Sequence, residues 1–65
     1  MNEIQFQDRV THWGQVLLKT ELPENLVPSV ARVLARDERY GLNARSPEDL
    51  ATMARAAESL AGVSR

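Results

Sequence analysis

Apolar residues recur at helical spacing in three separate stretches of the chain, and each stretch closes on a turn signal. The first carries Phe6, Val10, Trp13 and Leu17. Steps of four, three and four residues keep all four within a narrow arc of a helix that turns about 100° per residue. This predicts an amphipathic helix from about residue 3 to residue 19. Gly14 interrupts it, at a cost of roughly 1 kcal/mol relative to alanine; beside Trp13 it either admits the close approach of another helix or is merely tolerated. Thr20-Glu21-Leu22-Pro23 ends the element, because the residue before a proline is pushed out of the α region.

A second helix is predicted from about residue 25 to residue 40, with Asn25 as its N-cap and Pro28 in its first turn, where the missing N–H does no harm. Its apolar face is Leu26, Val30, Val33 and Leu34, and Tyr40-Gly41-Leu42 has the form of a glycine C-cap followed by a hydrophobic residue, as in the Schellman motif. The third helix has the clearest start. Ser46-Pro47-Glu48-Asp49 supplies a serine cap, a proline at the first helical position and two carboxylates at the positive end of the helix dipole. From residue 47 to about residue 61, Leu50, Met53, Ala54, Ala57, Leu60 and Ala61 form one stripe whose small alanines permit close approach, and Gly62 is the expected cap. No stretch alternates as a strand does. The expected fold is all-α, one domain over residues 1–65, built as a small three-helix bundle or an orthogonal three-helix array. Trp13 and Leu17 are expected to meet Leu50, Met53 or Leu60 in its core.

Composition narrows the chemistry. At 65 residues the chain is close to the lower size at which one hydrophobic core sustains a fold, and it has no cysteine for disulfides or thiolate ligands. A single histidine, His12, cannot assemble a zinc site without several carboxylates converging on it. Eight basic residues against nine acidic ones leave a net charge of −1, unlike the strongly basic balance of most nucleic-acid binders. Seven of the basic residues are arginine and alanine crowds the C-terminal half, as in GC-rich bacterial coding sequences. There is no basic run followed by an apolar stretch, and no segment of membrane-spanning length, so a cytoplasmic protein is expected.

Catalytic constellations are missing from the pattern. His12 has Asp8 one turn away, and Glu48 is paired with Asp49, but three short helices leave little volume for a substrate pocket and the acidic pair is explained by its helix start. No phosphate-binding glycine loop, metal-ligand spacing or nucleophile elbow is present. No enzyme activity, cofactor, metal or small-molecule substrate is expected.

Two features are candidates for binding, and each has a plain alternative: a solvated helix face for the first, and for the second a core that wraps around one side of the first helix and takes the residues in. Arg32, Arg36 and Arg39 align on the second helix opposite Val30 and Val33, and arginine suits carboxylate or phosphate partners because its planar fork binds both bidentately. Asp37 and Glu38 are placed to neutralise part of that stripe. In addition Ile4, Val16, Leu18, Leu22 and Val27 exceed what one small core needs, and surplus apolar surface marks association. The expected partner-binding residues are Arg32, Arg36, Arg39, Val16, Leu18 and Leu22. The function expected from these features is that of a non-enzymatic protein–protein interaction module, a small helical regulator, adaptor or inhibitor that docks on a larger protein, with self-association in addition or instead. Nucleic acid and membrane are not expected partners.

The rival is a helix-turn-helix DNA-binding regulator. Ala61-Gly62-Val63-Ser64-Arg65 resembles the glycine turn of bacterial repressors, but those repressors follow it with a recognition helix and the resemblance covers these five residues alone, so coincidence is expected. In the other arrangement, the second and third helices flank the turn, and Glu48 and Asp49 would then face phosphates.

Overall fold

Capping chemistry sets most of the element boundaries. The computed structural model describes residues 2–63, and among them the elements are α1 (Glu3–Leu18), α2 (Val27–Tyr40) and α3 (Pro47–Val63), with short 3₁₀ turns at Glu24–Leu26 and Leu42–Ala44. Asn2 opens α1 with a reciprocal capping box: its side chain accepts from the Gln5 N–H at 2.8 Å, while the Asn2 N–H donates to Gln5 Oε1 at 3.0 Å. After Leu18 the Thr20 hydroxyl donates to the Leu17 carbonyl at 2.6 Å and accepts from the Leu22 N–H at 3.2 Å, which folds the chain back toward α2.

Three boundaries differ from expectation. Asn25 lies inside the first 3₁₀ turn and does not cap α2; the N-cap position is Leu26, with no side-chain bond, and Pro28 occupies the first turn of α2 as anticipated. Gly41 does end α2, but at φ 87° and ψ 162°, a positive-φ backbone open to glycine and not the left-handed helical one a Schellman motif needs. The chain therefore leaves sideways, and Leu42 is exposed without the hydrophobic contact that motif would bring. Gly62 is helical within α3 and caps nothing. Ser64 and Arg65, the end of the repressor-like turn, lie outside the described residues. The Ser46 start of α3 forms as predicted, its hydroxyl accepting from the Asp49 N–H at 3.1 Å.

The described residues make an all-α, three-helix bundle with α2 in the middle. Val27, Val30, Ala31, Val33 and Ala35 of α2 are buried, and at about 100° per residue they cover more than half the helix circumference. α1 lies along one flank of α2, α3 touches the other, and α1 and α3 scarcely meet. Phe6, Val10, Trp13 and Leu17 turn toward α2 as the first stripe requires, yet no residue of α1 is fully buried. Leu22 and Leu26 of the connection, with Val27, Val30 and Ala56, complete the core. Leu22 and Val27 are thus core residues and not surplus surface, because the turn at Thr20 to Pro23 folds them under α2.

The bundle is open and flattened, 40 × 24 × 14 Å, with a radius of gyration of 11.9 Å. A chain of this length ordinarily has a radius near about 10.8 Å. Its accessible surface is 4719 Å², against about 4200 Å² for a typical monomer of this mass. Roughly 500 Å² more surface is left in water than its size requires.

Candidate protein-binding surface

Arg32, Arg36 and Arg39 share one side of α2, as their spacing dictates, but they are not equivalent. Arg36 donates through Nη2 to Asp49 Oδ1 at the start of α3. Its Nε is buried and has no hydrogen-bond partner among the described residues. Asp49 is itself buried, 4% exposed, and also receives the Ser46 N–H. Burial pushes the Asp49 carboxyl up, but the Arg36 guanidinium and the Ser46 donors outweigh it and hold the carboxyl below its ordinary range. Arg36 is thereby committed to fastening α3 to α2.

Arg32 and Arg39 are exposed and make no ion pair among the described residues; Arg39 lies over the Tyr40 ring, 5.0 Å from its centroid. The acids expected to neutralise the stripe are engaged elsewhere. Asp37 is held by a fork from Arg45, with Nε to Oδ1 at 3.0 Å and Nη2 to Oδ2 at 2.6 Å. Glu38 turns to α1, where Arg9 binds it bidentately at 2.9 and 2.8 Å and Trp13 Nε1 donates to the same carboxylate. These donors, Arg9 first and Trp13 next, hold the Glu38 carboxyl below its usual value against the opposing effect of burial. Trp13 therefore meets Glu38 of α2 and not the large residues of α3. Nearby, His12 meets Trp13 edge-on, with centroids 5.5 Å apart. No hydrogen bond joins it to Asp8 among the described residues, so that candidate pair is not assembled.

The other side of the bundle holds an apolar cleft of about 250 Å³. Val30 and Leu34 of α2 form its floor, Leu17 and Leu22 one wall, and Met53, Ala57 and Leu60 the other. Leu17 does face Met53 and Leu60, as the stripes predict, but across an opening. Leu34 on the floor and Arg32 on the stripe are two residues apart, so about 200° separates them around α2. The cleft and the arginines occupy opposite sides of the molecule.

The orientation of α3 explains why the cleft stays open. Asp49 and Ala56 are buried against the bundle, and Thr52 and Ser59 are half-buried beside them. Leu50, Ala54, Ala57 and Ala61 are exposed. The helix docks by an edge that carries Asp49, Thr52 and Ser59 beside Ala56 and the half-buried Met53, and it leaves Leu50, Ala54, Ala57 and Ala61 in water together with Glu48, Arg55 and Glu58. Leu50, 55% exposed, therefore takes no part in the core expected for it. The buried bonds of Asp49 with Arg36 and Ser46 fix this rotation.

Of the apolar residues expected to bind a partner, Val16 and Leu18 are exposed while Leu22, 6% exposed, is core. Val16 and Leu18 are also about 200° apart on α1, so they cannot belong to one patch. The exposed face of α3 was missed because its residues were assigned to the core.

Among the described residues no group of three or more histidine, cysteine, aspartate or glutamate side chains could hold a metal ion. No helix among them is long and apolar enough to cross a membrane. Comparison with family models, with curated proteins and with solved structures finds no match to this chain.

Proposed function

We propose that this chain is a non-enzymatic protein–protein interaction module, a small helical regulator, adaptor or inhibitor that docks on a larger protein through the solvent side of α2. The observation that carries the reading is the availability of Arg32 and Arg39. Asp37, Glu38 and Asp49 are all satisfied by other arginines, so two cations stand together on an exposed helical face with no internal counter-charge. An acidic protein surface matches that face, because planar guanidinium groups bind carboxylates bidentately. Duplex DNA matches it poorly. Two free cations would neutralise about two phosphates, giving a salt slope of only about 1.8 log units of affinity per log unit of salt.

The test is capture from the native host extract with wild type and with the double substitution Arg32→Glu and Arg39→Glu, alongside duplex-DNA binding across a salt series. A dominant protein partner that is lost in the double variant, whose helical circular dichroism is unchanged, is the expected result. Tight, steeply salt-dependent binding of wild type to random duplex DNA would overturn the reading in favour of a DNA-binding regulator.

A further inference from the structure

The cleft side of the molecule calls for an occupant, and we infer that it is a second copy of this chain, with the two α3 helices paired antiparallel across a two-fold axis at the rim of the cleft. The inference leaves the arginine side to the larger protein and stands whether or not that docking occurs.

The first support is the rotation of α3. The helix turns Asp49, Thr52, Met53, Ala56 and Ser59 inward and leaves Leu50, Ala54, Ala57 and Ala61 outward, an apolar edge with no neighbour in the single chain among the described residues. Those four outward residues follow steps of four, three and four, the spacing of a helix–helix seam.

The second support is that the seam complements itself. In an antiparallel pair each position faces another whose numbers sum to a constant. With a sum near 111, Leu50 of one copy faces Ala61 of its partner and Ala54 faces Ala57, and the same holds with the copies exchanged. The large residue meets a small one at each end, and two alanines meet in the middle where the backbones come closest. None of the four seam positions carries a charge, so no charged side chain is buried at the centre of the pair.

Area is the third. Each copy exposes roughly 500 Å² beyond the norm for its size, surface that a second copy can cover in part, and specific interfaces begin at about 1,000 Å² in total. The second α3 would lie over the mouth of the cleft beside Met53 and Leu34, which are half-buried in the single chain.

Cysteine crosslinking tests the pairing and its direction together, since the chain has no cysteine of its own. Chains carrying Leu50→Cys and chains carrying Ala61→Cys are prepared separately, then mixed and oxidised, with sedimentation equilibrium of the unsubstituted protein run beside them. In the antiparallel pair two residues at position 50 lie eleven positions apart along the seam, about 16 Å at 1.5 Å per residue, beyond the reach of a disulfide. The expected result is a doubling of mass with concentration, efficient crosslinking in the mixture, and little in either variant alone. The exposed seam substitution Ala57→Glu should abolish the doubling while leaving the helical signal in place.

A protein that remains monomeric to millimolar concentration overturns the inference. So does efficient crosslinking of Leu50→Cys with itself, which would make the pairing parallel, or a dimer indifferent to Ala57→Glu, which would place the interface elsewhere. All these measurements use pure protein, so their failure is distinct from failure to capture a larger partner.

Discussion

Replacing Asp49 by asparagine keeps the shape of the α3 cap and removes its charge, which isolates the contribution of the Arg36–Asp49 link. Hydrogen bonds to charged groups contribute about 1.5–3 kcal/mol, and the Arg36 side chain is 42% exposed, so water recovers part of that and the lower end applies. Loss of a carboxylate from the first turn of a helix adds about 0.3–1 kcal/mol. The expected cost is therefore about 2 kcal/mol at pH 7, a large share of the roughly 3–10 kcal/mol that a domain of this length possesses. In a thermal melt followed by circular dichroism, Asp49→Asn should lower Tm by about 8–16 °C. The effect should depend on pH in a defined direction. The folded Asp49 carboxyl is held below its ordinary value, so its contribution is complete above the unfolded pKa of about 3.9 and is lost as pH falls through the lower folded value. Wild type and Asp49→Asn should therefore converge in stability in strong acid. Combining Asp49→Asn with Arg36→Ala should cost clearly less than the sum of the two single changes, with a coupling of about 1 kcal/mol. A variant within about 0.3 kcal/mol of wild type at pH 7, or a gap that stays constant into acid, would refute the assignment of Arg36 to the fold.

The two internal glycines of α1 and the α2 terminus should respond oppositely to alanine. Gly14→Ala should stabilise by about 0.5–1 kcal/mol in a urea melt, because nothing lies within 4 Å of the added methyl; a loss of stability would mean that something packs there. Gly41→Ala should cost about 1–2 kcal/mol despite equally open space, since the position has a positive φ of 87°, and a neutral result would show that the turn adopts another backbone. Leu22→Ala should cost about 2–5 kcal/mol as a core truncation and Leu17→Ala, half-buried, roughly half as much; a reversed order in chemical denaturation would contradict the placement of Leu22 beneath α2.

What could be read in advance was local. Helical period, the Ser46-Pro47 start and the shared face of Arg32, Arg36 and Arg39 depend on residues within a turn or two of one another, and the structure has all three. The Asn2–Gln5 capping box was equally local and shows in the sequence as a capping residue three positions before a glutamine. Partner choice over long separations was not legible. Asp37 and Glu38 looked like neighbours of the arginine stripe, but adjacent residues on a helix point about 100° apart, and their partners, Arg45 and Arg9, come from other elements. The rotation of α3 was hidden for a related reason. Periodicity gives the width of an apolar arc and not which edge of it faces the bundle; here a buried carboxylate fixes that edge, and Leu50 is left outside.

The Arg36–Asp49 link ties the two sides of the molecule together thermodynamically. Arg36 belongs to the basic side of α2, whereas Asp49 anchors the helix that forms one wall of the apolar cleft. An acidic ligand that took Nη2 of Arg36 would displace Asp49, exposing α3 to rotation or release. Conversely, anything that clamps α3 in its present orientation keeps that donor on Asp49 and makes it harder for an acidic ligand to take. By reciprocity the free energy by which one event hinders the other is the same in both directions. One carboxylate thus sets the price at which the two opposed surfaces exchange information.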